Sequence, residues 1–238
     1  MFSRIIRFFY SHPCTACGRL DSFSNRIGIC LHCIRFRRNV QKSKIPTTDC
    51  CAVCSSPPGE EGACEYCSSR FVFFSSLFSL RSRMSWERQI FQTCKFQNEK
   101  ILQNYFALDF RKEKFTKIPD KPDCIVFLPS EDRERGRFFH PAGLLGKRLS
   151  RKWKVPILPG VRKVSKDKQS GKMFQERFFH AKKAFVFSKS DRIWNGFHIL
   201  IIDDIFTTGA SLNEVAKMYI AAGARKVSCM VLLNKEGD

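Results

Sequence analysis

The stretch Ile199-Leu-Ile-Ile-Asp-Asp-Ile-Phe-Thr-Thr-Gly-Ala-Ser211 decides how this chain is read. Its four leading apolar residues predict a strand buried on both faces. Two adjacent carboxylates, Asp203 and Asp204, follow where that strand is expected to end. A small, hydroxyl-rich loop of Thr207, Thr208, Gly209, Ala210 and Ser211 then leads into a helix. The backbone N–H groups of such a loop, its hydroxyls and the positive end of the helix together suit a phosphate. Gly209 admits a close approach of backbone to ligand. Vicinal carboxylates at a strand end can accept hydrogen bonds from a sugar diol, or meet Mg2+ directly or through water. In an open α/β sheet, ligands bind outside the carboxyl ends of the strands, where this loop falls. A polar turn with Thr208 or Ser211 capping the helix would explain any one of these features, but not the whole string.

Outward from that stretch, strands and helices alternate. Residues 71–80 predict a strand or strand pair, and 86–108 carry helical spacing through Trp86, Ile90, Cys94, Ile101, Leu102 and Tyr105. Residues 124–128 form a short apolar run stopped by Pro129, residues 142–149 a helix, and residues 155–158 a further short strand. A basic helix is expected at 172–183 and a strand at 197–202. A helix at 211–222, ended by Gly223, and a last strand at 226–233 complete the pattern. Alternation of this kind predicts a parallel α/β sheet.

The first 70 residues have a different composition. Eight of the chain's twelve cysteines lie there in CxxC pairs. Cys14, Cys17, Cys30 and Cys33 form one set; Cys51, Cys54, Cys64 and Cys67 form a second. Each CxxC turn lets two sulfurs reach one metal, and two turns complete a closed tetrahedral zinc site. Cys50 neighbours Cys51, which is preferred because it completes CxxC with Cys54. Two structural Zn2+ sites and a module boundary near residue 70 are therefore expected, giving residues 1–70 and 71–238. Cys94, Cys124 and Cys229 stand in apolar contexts and read as small core residues.

Lysine and arginine number 42 against 22 acidic residues, a formal net charge of +20. Eight thiolates and two zinc ions would bring this only to about +16. The excess favours a polyanionic partner, nucleic acid or a phosphorylated small molecule. Arg133, Arg135 and Arg137 alternate in the loop after the strand at 124–128, where they could hold a diphosphate leaving group. Residues 162–183 interleave Lys and Arg with Phe174, Phe178 and Phe179. That pattern suits a hood over a ligand, a track for single-stranded nucleic acid, or an amphipathic helix. No run of eighteen apolar residues is present, and Arg4 and Arg7 interrupt the apolar start. The reading is thus a protein without stable membrane insertion or export signal, held in a reducing cytoplasm.

Residues 199–211 resemble the phosphoribosyl-diphosphate motif of type I phosphoribosyltransferases. The resemblance implies that Asp203 and Asp204 hold the ribose hydroxyls. It implies that Thr207, Thr208, Gly209, Ala210 and Ser211 hold the 5′-phosphate, with Mg2+ accompanying the diphosphate. A doubled cysteine module ahead of such a domain is similar to the ComF family, and that likeness runs over nearly the whole chain. Lys95-Phe96 and the segments 128–141 and 169–185 carry it further. Ser130, Phe138, His140, Pro141, Lys172 and His180 depart from the family's usual residues. The resemblance implies a link to DNA uptake in natural transformation, with single-stranded DNA and a competence helicase as partners. Two classes of activity follow: transfer of ribosyl phosphate to an acceptor, or non-catalytic binding of single-stranded nucleic acid.

Overall fold

In the computed structural model, residues 12–43, 51, 64, 67, 71–96, 100–109, 120–129, 141–164, 184–188 and 194–234 are described. Two helices come first, α1 (Ser24–Ile27) and α2 (Leu31–Ser43). Then follow β1 (Ser76–Ser82), α3 (Glu87–Phe96), a 3-10 turn (Lys100–Leu102) and α4 (Gln103–Ala107). Strand β2 (Cys124–Phe127), helix α5 (Pro141–Trp153), β3 (Val161–Lys163) and β4 (Phe185–Phe187) come next. The chain closes with β5 (His198–Phe206), α6 (Ala210–Ala221) and β6 (Lys226–Asn234).

Four strands form a sheet in the order β1-β6-β5-β2, and every neighbouring pair is parallel. Strand β5 is central, pairing Ile199 with Cys124 on one side and Val227 on the other. β3 and β4 pair separately as an antiparallel ribbon. The apolar runs read from the sequence are buried on both faces, as a parallel sheet covered by helices requires. Along each strand, successive residues join different apolar clusters. Leu200, Ile202, Met230 and Leu232 lie with Leu145 and Leu149 of α5. Ile199, Ile201, Cys229 and Val231 lie with Val215, Ala216 and Tyr219 of α6. Period-two alternation makes these the two faces of the sheet, so α5 covers one and α6 the other. Helix α5 sits close to β2 at Gly146: a Cβ there would fall 2.4 Å from the Phe127 ring.

Three local readings change. The helical spacing at 86–108 is divided into α3, the 3-10 turn and α4. Residues 155–158 make a single bridge, Ile125 to Ile157, instead of a strand. Most important, β5 does not stop before the aspartates. Its pairing with β6 continues through Asp203–Val231 to Phe206–Asn234. The expected helix at 172–183 lies outside the described residues.

A buried charge cluster has no local signature in the chain. Arg81 of β1 sends Nη1 and Nη2 to the Glu87 carboxylate at 2.6 and 2.5 Å, and Nε to Asp109 at 2.7 Å. Arg37 of α2 reaches Asp109 through Nη2 at 3.1 Å. The Tyr105 hydroxyl donates to Glu87, and the Met84 N–H adds a bond of 2.7 Å. All four charged side chains are at most 5% exposed. Burial opposes the Arg81 charge, but Asp109 and Glu87 more than offset it and push its pKa up. Two cations meet two anions, and the cluster ties the first cysteine unit to the edge strand β1.

Candidate functional site

Because the four strands are parallel, their carboxyl ends share one edge of the sheet. β5 reaches that edge carrying Asp203, half-buried, and Asp204, 8% exposed. Asp203 Oδ1 accepts the Asp204 N–H at 2.8 Å, and Asp204 Oδ1 accepts the Ile205 N–H at 2.9 Å. An ionised carboxylate can accept about four hydrogen bonds, so one backbone bond does not exhaust it.

Beyond Phe206 the loop runs through Thr207, which is exposed, and Thr208, which is half-buried. Gly209 is buried and holds φ 66°, ψ 4° at the N-cap of α6. The N-cap position falls to Gly209, which brings no side-chain cap. The Ala210 N–H reaches Thr208 Oγ1 only at 3.4 Å. The left-handed glycine turns the chain straight from strand to helix, and a helix start presents its first N–H groups to an anion. Ala210 is buried and Ser211 half-buried at the helix start. Strand end, carboxylates, loop and helix start are thus contiguous, an arrangement able to bind a phosphate beside a diol.

An L-residue at Gly209 would carry the cost of the left-handed conformation, about 1–2 kcal/mol. Gly209→Ala is therefore expected to lower the thermal unfolding midpoint by a few degrees. The same substitution is expected to weaken any anion held by the loop more than it weakens the fold. Thermal unfolding with and without added ribose 5-phosphate measures both.

Cys14, Cys17, Cys30 and Cys33 come together with all four sulfurs within 4.8 Å of one another. Local hydrogen bonds build that centre. The Gly18 N–H donates to the Cys14 carbonyl at 2.7 Å, and Gly18 has φ 74° as the knuckle requires. Asp21 accepts the Ser24 N–H at 2.6 Å and the Leu31 N–H at 2.7 Å, fixing the starts of α1 and α2. The Cys33 N–H points at Cys30 Sγ, 3.5 Å away. Cys17 and Cys30 sulfurs lie 3.6 Å apart, close to the edge of about 3.8 Å that a tetrahedron with 2.3 Å Zn–S bonds demands. The donor set therefore fits a metal such as zinc. The backbone N–H of Arg19 pulls the exposed Cys17 thiol down to about 7, while burial pushes Cys33 up.

Cys51, Cys64 and Cys67 form a second group, again within 4.8 Å of one another, with Cys51 and Cys67 sulfurs 3.7 Å apart. Cys51 thus stands where a ligand is needed. Cys50 and Cys54 lie outside the described residues, as do Arg133, Arg135 and Arg137. Cys124 and Cys229 are fully buried core residues, as their context predicts. Among the described residues no helix is long and apolar enough to cross a membrane.

Residues 142–238 match the phosphoribosyl transferase domain family. Competence protein ComFC of Bacillus subtilis is 29% identical over 201 residues, covering 81% of this chain and 80% of that one. Competence protein F of Haemophilus influenzae is 26% identical, covering 83% of this chain and 93% of that one. Competence protein ComFC of Streptococcus pneumoniae is 26% identical, covering 91% and 86%. Among solved structures, a Trypanosoma cruzi hypoxanthine phosphoribosyl transferase overlaps with a TM-score of 0.34 at 19% identity, covering 63% of this chain and 67% of that one. An overlap of that size carries no weight. The competence relatives span most of the chain, and the strand–loop–helix segment of β5 and α6 falls inside the matched domain. The chain is thus similar over most of its length to ComF-type competence proteins, and its C-terminal part matches the phosphoribosyl transferase domain family.

Proposed function

We propose that the chain binds phosphoribosyl diphosphate with Mg2+ at the carboxyl edge of its sheet. The observation that carries this reading is the left-handed Gly209 that opens α6 on the strand end bearing the paired carboxylates Asp203 and Asp204. Asp203 and Asp204 would accept the ribose 2′- and 3′-hydroxyls. Thr207, Thr208, Gly209, Ala210 and Ser211 would surround the 5′-phosphate. Arg133, Arg135 and Arg137 follow β2 in the chain, and β2 ends at the same sheet edge, so they are the proposed partners of the diphosphate. In a transfer reaction the bond from ribose C1 to the diphosphate oxygen breaks. A new bond from C1 to an acceptor forms, diphosphate leaves, and the acceptor loses its proton. Positioning and charge neutralisation suffice for such a step. The two cysteine centres would hold structural Zn2+, which suits a reducing cytoplasm.

The net charge of +20 and the competence relatives favour a second reading: binding of single-stranded DNA, with a helicase partner, during DNA uptake. The two readings differ in their response to salt. Between about 50 and 200 mM salt, a single strand held through six or more phosphates loses roughly several hundredfold or more in affinity. A single compact ligand loses far less. We expect a labelled oligonucleotide to show the steep slope and phosphoribosyl diphosphate the shallow one. An oligonucleotide that fails to bind at low salt would remove the nucleic-acid reading. Displacement of the strand by saturating phosphoribosyl diphosphate would place both ligands on the same loop.

A further inference from the structure

The second cysteine group and the loop of α6 are joined through one buried amide. Cys51, Cys64 and Cys67 pack against the apolar cluster on the α6 side of the sheet, as do Val72 and Phe73. Four residues after Cys67 the chain reaches Phe71, and there Asn213 grips it. Asn213 Nδ2 donates to the Phe71 carbonyl at 2.9 Å, and Asn213 Oδ1 accepts the Phe73 N–H, also at 2.9 Å. Asn213 is 8% exposed and sits in the first turn of α6. Its own N–H donates to the Gly209 carbonyl at 2.8 Å. Beyond the grip, the Ser75 N–H and hydroxyl both bond the Val227 carbonyl, at 2.8 and 3.0 Å, and lock the segment to β6.

A single residue thus bonds the left-handed glycine of the loop on one side and the segment leaving the cysteines on the other. Losing its side chain would leave the Phe71 carbonyl and Phe73 N–H to find new partners beside a buried helix start, and the segment would shift.

We propose that Asn213 is a positioning residue that couples the second cysteine centre to the anion loop. Metal held by Cys51, Cys64 and Cys67 fixes residues 71–73. Through Asn213, those residues fix the first turn of α6 in the geometry that receives the 5′-phosphate. This inference rests on the ribose-phosphate reading of the loop. Coupling between two bound ligands is reciprocal, so the phosphate must tighten the metal by the factor that the metal tightens the phosphate.

The full-length, zinc-loaded protein tests this, with ribose 5-phosphate as the probe. Two quantities are measured: the affinity for ribose 5-phosphate by calorimetry, and the affinity for zinc by equilibrium competition with a chromogenic chelator, with and without the probe. In the parent, ribose 5-phosphate is expected to tighten one zinc equivalent about tenfold, within the usual range of such couplings. Asn213→Leu is expected to weaken the probe by a similar factor and to abolish the tightening. Asn213→Asp keeps the acceptor for the Phe73 N–H and loses the donor to Phe71, so it should fall between the two. A merely structural role would lower stability without uncoupling the two ligands. If Asn213→Leu does not fold, Asn213→Asp carries the test through the same two readouts. Unchanged probe affinity in a folded Asn213→Leu, or parental zinc affinity indifferent to the probe, overturns the coupling. A parent that binds no ribose 5-phosphate overturns the loop reading, and the coupling falls with it.

Discussion

Replacing Glu87 by leucine is expected to cost about 3–5 kcal/mol, because it leaves a buried cation without its partner. Glu87 is fully buried and accepts from both Nη atoms of Arg81, from the Tyr105 hydroxyl and from the Met84 N–H. Without it, Arg37 and Arg81 share Asp109 alone, and a net positive charge stays in the interior. For a chain of this size the loss corresponds to roughly 10 °C in the unfolding midpoint. Replacing the two arginines and two acids together by apolar residues of similar volume should cost much less, since no charge is then stranded. Thermal unfolding of the single and quadruple variants decides the point. A single substitution within a degree of the parent would mean that the cluster is not buried as described.

Loss of the first cysteine centre is the second large effect. Cys14, Cys30 and Cys33 are 2%, 0% and 9% exposed and share an apolar cluster with Ile34, Ile125 and Leu200. Burial pushes the Cys30 and Cys33 thiols up, so holding them as thiolates requires a cation among them. Structural zinc contributes about 10–16 kcal/mol to small domains that fold around it. Cys33→Ser is expected to release one zinc equivalent, to open residues 12–43 to proteolysis, and to lower the unfolding midpoint by about 10 °C or more. Cys124→Ser is the control, a fully buried cysteine in β2 outside both cysteine groups, and should keep both zinc ions. Equal zinc content in Cys33→Ser and parent would show that the cluster holds no metal.

Much of this was legible in the chain because the signals are local. The apolar run of β5, the two carboxylates and the Thr-Thr-Gly-Ala-Ser loop are contiguous, so their order alone places them at one strand end. CxxC spacing likewise brings sulfurs together by the geometry of a single turn. What escaped reading depends on distant segments. Arg37, Arg81 and Glu87 come from α2, β1 and α3 and Asp109 from the turn after α4, and nothing in the spacing of 37 to 109 announces that they meet. The Asn213 grip spans 140 positions to Phe73. The length of β5 escapes the local pattern for a related reason. Aspartates disfavour strands on propensity, but the ladder to Val231 and Leu233 of β6 carries β5 past them to Phe206. The break between α3 and α4 shows the opposite weakness: helical spacing at 86–108 persists across a turn that the periodicity alone cannot reveal.

The most direct test of the central claim is a calorimetric titration of the zinc-loaded protein with phosphoribosyl diphosphate and Mg2+. It is run beside Asp203→Asn/Asp204→Asn. The two carboxylates supply the acceptors for the ribose diol, and each charge-assisted bond contributes about 1.5–3 kcal/mol. The account predicts saturable binding in the parent and a loss of about a hundredfold or more in the double variant, with zinc content and unfolding midpoint little changed. A folded parent that shows no heat of binding, or a double variant that binds as tightly as the parent, would contradict it.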